Sequence, residues 1–198
     1  VASQDFAGMD GGEALIAEGF ADMKRYLEKR NTGTRQALAV DYAHTFLAAG
    51  NYESFAATPY ESVFTSELGL LMQEARDEVY KCYCEEGIQP DEPLRTPEDH
   101  LSFEFEFIAC LLDRTNEALR RYDWDAALAY AEKIASFHRD HQLNWVDALC
   151  DAIIDVAETR FYRGVSKVTR GFVHMETDVI ADEVQALKEL KEAFSQAA

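Results

Sequence analysis

The chain has 198 residues, 47% of them hydrophobic and 12% aromatic, so it is long and apolar enough to bury a sizeable core. A formal net charge of −18 excludes a nucleic-acid backbone as its main partner. No apolar run approaches the roughly 18–20 residues a membrane-spanning helix needs, and the first residues lack the basic region and apolar core of a secretory leader, so a cytoplasmic protein without membrane insertion is expected.

Helical periodicity dominates and predicts an all-α chain of about eight helices. In chain order they fall at 12–29, 34–49, 65–86, 97–121, 124–141, 144–159, 161–175 and 177–195. Asn31-Thr32-Gly33 closes the first, Gly50-Asn51 the second and Gly87 the third. Asp123 and Thr177 are expected N-caps, and Asn144 is expected to open the sixth helix. Two irregular segments, 50–64 (GNYESFAATPYESVF) and 87–97 (GIQPDEPLRTP), hold all four prolines. The second is polar and stiffened by proline, which makes it the hinge candidate. The expected organisation is a single helical domain in two sub-halves, 1–86 and 98–198, joined by a hinge at 87–97.

The hinge runs into TPEDHLSFEFEF, residues 96–107. Thr96 is placed to cap the helix, with Pro97 at the first helical position and Glu98 and Asp99 in the first turn. Leu101, Phe105, Ile108 and Leu112 form one apolar stripe, and Phe103, Phe107, Cys110 and Leu111 a second. His100 and Glu104, four residues apart, fall beside or between these stripes. A carboxylate there must be hydrogen-bonded, paired or neutral. Two readings stay open: a mutual His100–Glu104 bond that closes the core, or a polar patch beside the loop that a ligand can reach.

Other chemistry is sparse. Cys82 and Cys84 point to nearly opposite sides of a helix, and Cys110 and Cys150 stand alone in apolar patterns, as buried free thiols do. His138 and His141 share a helix without the companions of a zinc site. Gly164 and Gly171 lie in a helical pattern and lack the spacing of a phosphate loop, and no nucleophile has a recognisable elbow. No metal, no cofactor and no enzyme activity are expected. The competing readings are a helical metal-dependent hydrolase, whose His-Asp doublet Asp99-His100 reverses, and a generic helical interaction scaffold.

Four separated segments together resemble the TorD/DmsD/NarJ family of redox-enzyme maturation chaperones. LAVDYAHTFLAAG (38–50) and TPYESVFTSELGLLMQEARDEVYKCYCEEG (58–87) are similar to its N-terminal half. PEDHLSFEFEFIACLLDRT (97–115) resembles the hinge motif E-P-x-D-H-x-x-x-E, on which Pro97, Asp99, His100 and Glu104 fall residue by residue. HRDHQLNWVDALCDAIIDVAETRFYRGVSKVTRGF (138–172) resembles the H-x-x-x-W and F-Y-R-G segment. Thr96 departs from the motif's leading Glu, and Glu92-Pro93 is out of register.

The resemblance implies a TorD-like helical chaperone that is not an enzyme. Its partners would be the apo catalytic subunit of a molybdopterin oxidoreductase and that subunit's twin-arginine leader. It also implies a client site at Tyr60, Ser62, Val63, Phe64, Pro97, Asp99, His100 and Glu104, with His141, Trp145, Tyr162 and Arg163 as secondary candidates. Asp99 or Glu104 would pair with an arginine, and Tyr60 and Phe64 would meet the leader's apolar part. Family members carry a further helix upstream of EALIAEGFADMKRYL (13–27). Its absence here leads to the expectation of a homodimer, a domain swap or a cleaved fragment.

Overall fold

Apolar residues three and four apart need a helical backbone to share one face, and that is how the chain folds. The computed structural model describes residues 14–47, 57–89 and 96–197. Eight helices lie among them: α1 (Ala14–Glu28), α2 (Thr34–Phe46), α3 (Glu61–Thr65), α4 (Glu74–Glu85), α5 (Leu101–Arg120), α6 (Trp124–His141), α7 (Val146–Val156) and α8 (Arg160–Ala197). The described residues contain no strand, only an isolated antiparallel bridge between Tyr60 and His100. The fold is all-α. No described helix is long and apolar enough to cross a membrane.

The helices gather into two compact units. One comprises Val1–Pro59 and Trp145–Met175, with α1, α2, α7 and residues 160–175 of α8. The other comprises Tyr60–Asn144 and Glu176–Ala198, with α3 to α6 and the rest of α8. Both flanks of the 87–97 segment therefore belong to the second unit.

In the first unit α1 and α8 meet backbone to backbone. A Cβ on Gly164 would lie 2.6 Å from the Gly19 carbonyl oxygen, and one on Gly19 would lie 2.5 Å from that of Gly164. The glycines of FYRGVSKVTRGF thus serve close helix packing. Asp41, buried on α2, accepts hydrogen bonds from the Glu158 and Thr159 amides at 2.9 and 2.8 Å and so caps the entry to α8. Burial alone would raise its carboxyl pKa, but the donors on Thr159, Glu158 and Thr45 outweigh burial and hold it below the ordinary value.

The second unit is centred on α5 and α6. Val79, Tyr83, Phe107, Ile108, Leu111, Ile134, Phe137 and Ile180 form its larger apolar cluster. Ala118, Ala127, Ala131 and Leu187 form a smaller one, where small side chains let helices approach closely. Between α5 and α6, Tyr122 takes a left-handed φ of 59°. The Asp123 amide then reaches Ala118 O and the Tyr122 amide Leu119 O, both at 3.0 Å, closing a Schellman motif. Asp123 starts α6 at once, as expected, by accepting from the Ala126 amide at 3.0 Å.

Several boundaries differ from the sequence expectations, each for a local reason. The helix expected at 65–86 begins only at Glu74, because Gly69 and Met72 take φ values of 62° and 61° and interrupt it. The short α3 forms inside the segment expected to be irregular. α5 starts at Leu101 with His100 as its N-cap, so Thr96 does not cap it and Pro97 is not its first residue. α7 starts at Val146 behind Trp145, and the Asn144 side chain is drawn to Glu61 instead. Residues 161–175 and 177–195 are one helix. Nothing near Thr177 breaks it, and the Thr177 hydroxyl bonds His138 Nε2 at 3.0 Å. All four thiols are free, but only Cys150 is buried, and Cys84 is exposed. Residues 50–56 and 90–95, with Glu92-Pro93, lie outside the described residues.

Candidate functional site

Where the chain enters α3 it pairs with the chain entering α5. The Glu61 amide donates to Asp99 O at 3.0 Å, beside the Tyr60–His100 bridge. Asp99 Oδ2 accepts from the Ser62 amide at 2.8 Å and from the Ser62 hydroxyl. Asp99 thus ties α3 down from a distance of 37 residues in sequence. It is fully buried, as is Glu104. This pairing keeps residues 98–100 out of the helix and displaces its start to Leu101.

His100 is half-buried and fixed from both sides. Its ring packs edge-on to Tyr60 with centroids 4.9 Å apart. Nδ1 accepts the Ser102 amide at 3.1 Å and lies 2.8 Å from the Ser102 hydroxyl, so this nitrogen carries no proton. Burial lowers the imidazole's pKa, and the charge on Asp99 only partly opposes this. Of the two readings left open by the sequence, the bond from His100 goes to Ser102, within the cap. Glu104 begins one turn on, its amide donating to His100 O at 3.2 Å. Val63 and Phe64 follow Ser62 on α3, both half-buried.

Glu61 also anchors a polar line, of which the sequence offered only His141, as a secondary candidate. Glu61, 1% exposed, accepts from Asn144 Nδ2 at 2.7 Å through Oε1 and meets His141 Nδ1 at 3.0 Å through Oε2. His141 Nε2 faces Cys82 Sγ at 4.0 Å. Burial alone would depress the pKa of His141, but its bonds to Cys82 and Glu61 raise it to about 9. His138 belongs to a separate set, with Gln142 Oε1 at 2.7 Å and the Thr177 hydroxyl at 3.0 Å. Glu61 was legible only as one acid in a segment read as irregular.

The second unit therefore holds Tyr60, Ser62, Val63, Phe64, Pro97, Asp99, His100, Glu104 and His141. Trp145, Tyr162 and Arg163 belong to the first. There Trp145 is 1% exposed, the Tyr162 hydroxyl donates to Leu38 O at 3.2 Å, and Arg163 Nε donates to Ala157 O at 2.9 Å. These contacts give the three residues structural roles within their own unit.

The chain is all-helical, and the entry to α3 locks against the residues of the hinge motif. The chain belongs to the nitrate reductase delta subunit family, which it matches over residues 13–151, and so to the TorD/NarJ group it resembles. It is similar to chaperone protein TorD of Vibrio parahaemolyticus serotype O3:K6 (strain RIMD 2210633), with 27% identity over 179 residues, 89% of this chain and 80% of that one. The TorD chaperones of Vibrio atlanticus (strain LGP32) and Vibrio vulnificus (strain YJ016) are 24% and 27% identical over 74% and 72% of this chain. Those matches span 65% and 64% of the two relatives' own lengths.

Proposed function

We propose that the protein is a cytoplasmic maturation chaperone that binds the apo catalytic subunit of a molybdopterin oxidoreductase and its twin-arginine leader. On this reading it assists cofactor insertion and delays export until insertion is complete. The observation that carries the proposal is the locked junction, where Tyr60 and Ser62 meet His100 and Asp99, the residues that fall on the family's hinge motif. The net charge of −18 supports it, since an acidic protein steers paired arginines toward itself. Tyr60, Phe64 and His100 are the half-buried groups best placed to take the leader's apolar residues. Asp99 and Glu104 are enclosed, so an arginine pairs with either only if the junction opens.

Titration of the full chain with a twin-arginine leader peptide by calorimetry tests the proposal. Replacing both arginines by alanine is expected to weaken binding at least about tenfold, equivalent to ~1.4 kcal/mol. Unchanged affinity would remove the electrostatic part of the reading. Light scattering over a range of concentrations separates a monomer from the homodimer or swapped form.

A further inference from the structure

Cys82, His141 and Glu61 stand in the order thiol, imidazole, orienting carboxylate. The sulfur lies 4.0 Å from Nε2, Nδ1 lies 3.0 Å from Glu61 Oε2, and Asn144 steadies the other carboxylate oxygen. A side chain that holds the imidazole in this way aims its second nitrogen at the sulfur, which is how thiols are activated. Cys82 and His141 also border a cleft of about 120 Å³ whose apolar part comes from Phe107 and Phe137.

Charged groups approach the pair from every element around it. α3 contributes Glu61, α4 Glu85 and Glu86, and α6 Lys133 and Asp140. Arg114 on α5 and Lys133 both pair with Glu86, which draws that carboxylate's charge away from the sulfur. His141 retains its proton at neutral pH through its bonds to Cys82 and Glu61. The imidazole, with Nε2 4.0 Å from the sulfur, is placed to hand a proton to a leaving group there.

We propose that Cys82 is a modification site, a thiol activated by His141 that reacts with a small hydroperoxide entering the cleft. The cleft opens beside the sulfur and the Nε2 of His141, and hydrogen peroxide is small enough to enter it. The anionic sulfur attacks one peroxide oxygen, forming an S–O bond as the O–O bond breaks. The electron pair of that bond leaves on the second oxygen as hydroxide, which takes the Nε2 proton of His141 and becomes water. Sulfur loses two electrons, the peroxide gains the same two, and Cys82 becomes a sulfenic acid.

The other thiols are internal controls. Cys84 is more exposed on the same helix, Cys110 is half-buried, and burial pushes Cys150 up to about 11. The intact chain is treated with hydrogen peroxide at pH 7 in the presence of dimedone, and the adducts are located by peptide mass spectrometry. Cys82 is expected to label at least tenfold faster than Cys84, and His141→Gln to bring it down to the Cys84 rate. The ratio of Cys82 to Cys84 labelling in the wild-type chain needs no variant and so does not depend on how His141→Gln folds. Labelling governed by exposure, with Cys84 first, or equal labelling of the two thiols, overturns the proposal. Leader binding is measured independently, so neither result bears on the chaperone reading.

Discussion

At the scale of single residues, the polar atoms of the hinge motif are committed to holding the backbone. His100 is the clearest case, because its Nδ1 does the work that serine, threonine or asparagine does at most helix starts. Replacing it by alanine leaves the Ser102 amide without its acceptor and is expected to cost about 1 kcal/mol of stability, read from urea unfolding. His100→Asn restores the cap and most of that stability, while the stack on Tyr60 stays lost. If the imidazole contributes to client recognition, leader affinity falls in both variants, whereas recovery in His100→Asn would show that only the cap matters. The sequence singled this residue out through its odd place beside or between apolar stripes. It pointed to the wrong cap, Thr96, because pairing of Asp99 and His100 with the chain entering α3 is a long-range contact that no local pattern contains. Glu61 escaped for the same reason, since its partners lie 80 and 83 residues away.

Helices were legible wherever their ends carry recognisable stop chemistry. Gly87 closes α4 with a φ of 64° and a Schellman pair from Gly87 and Ile88 to Cys84 and Tyr83, which the glycine itself announces. α5 ends in the same geometry with Tyr122 in the glycine position, and there Asp123 marks the boundary instead. A tyrosine held left-handed costs roughly 1–2 kcal/mol. Tyr122 is 74% exposed, so few contacts repay that cost. Tyr122→Gly is therefore expected to stabilise the chain by about 0.5–1 kcal/mol, visible as a higher midpoint in urea. No gain would show that the Tyr122–Trp124 ring contact carries more than its exposure suggests. The segment before α4 misled for the opposite reason. Leu68, Leu70, Leu71 and Met72 fall inside the helix expected at 65–86, yet all four are exposed, on a stretch that Gly69 and Met72 turn out of helical geometry.

At the scale of the whole molecule, the fold class followed from periodicity, but the partition into units did not. The second unit takes in both flanks of the expected hinge, which meet in the cluster around Val79, Tyr83, Phe107 and Phe137 and through the Asp99–Ser62 and Glu61–His141 contacts. Those contacts should make stability depend on pH in a definite direction. His141 titrates at about 9 when folded and near its ordinary 6.5 when unfolded. Its contribution is complete below pH 6.5, fades as the pH rises and is gone above 9, a loss on the order of 3 kcal/mol. Glu176 acts in a lower window. Burial raises its carboxyl to about 7, so it lowers stability as the pH climbs from 4.5 to 7 and adds nothing to the later decline. Urea midpoints measured from pH 5 to pH 10 should show both descents. Glu176→Gln should flatten only the first, and Glu61→Gln, which removes the carboxylate opposite His141, only the second. A midpoint that holds level between pH 7 and 9 in the wild-type chain would mean that Glu61 and Cys82 do not hold the proton on His141.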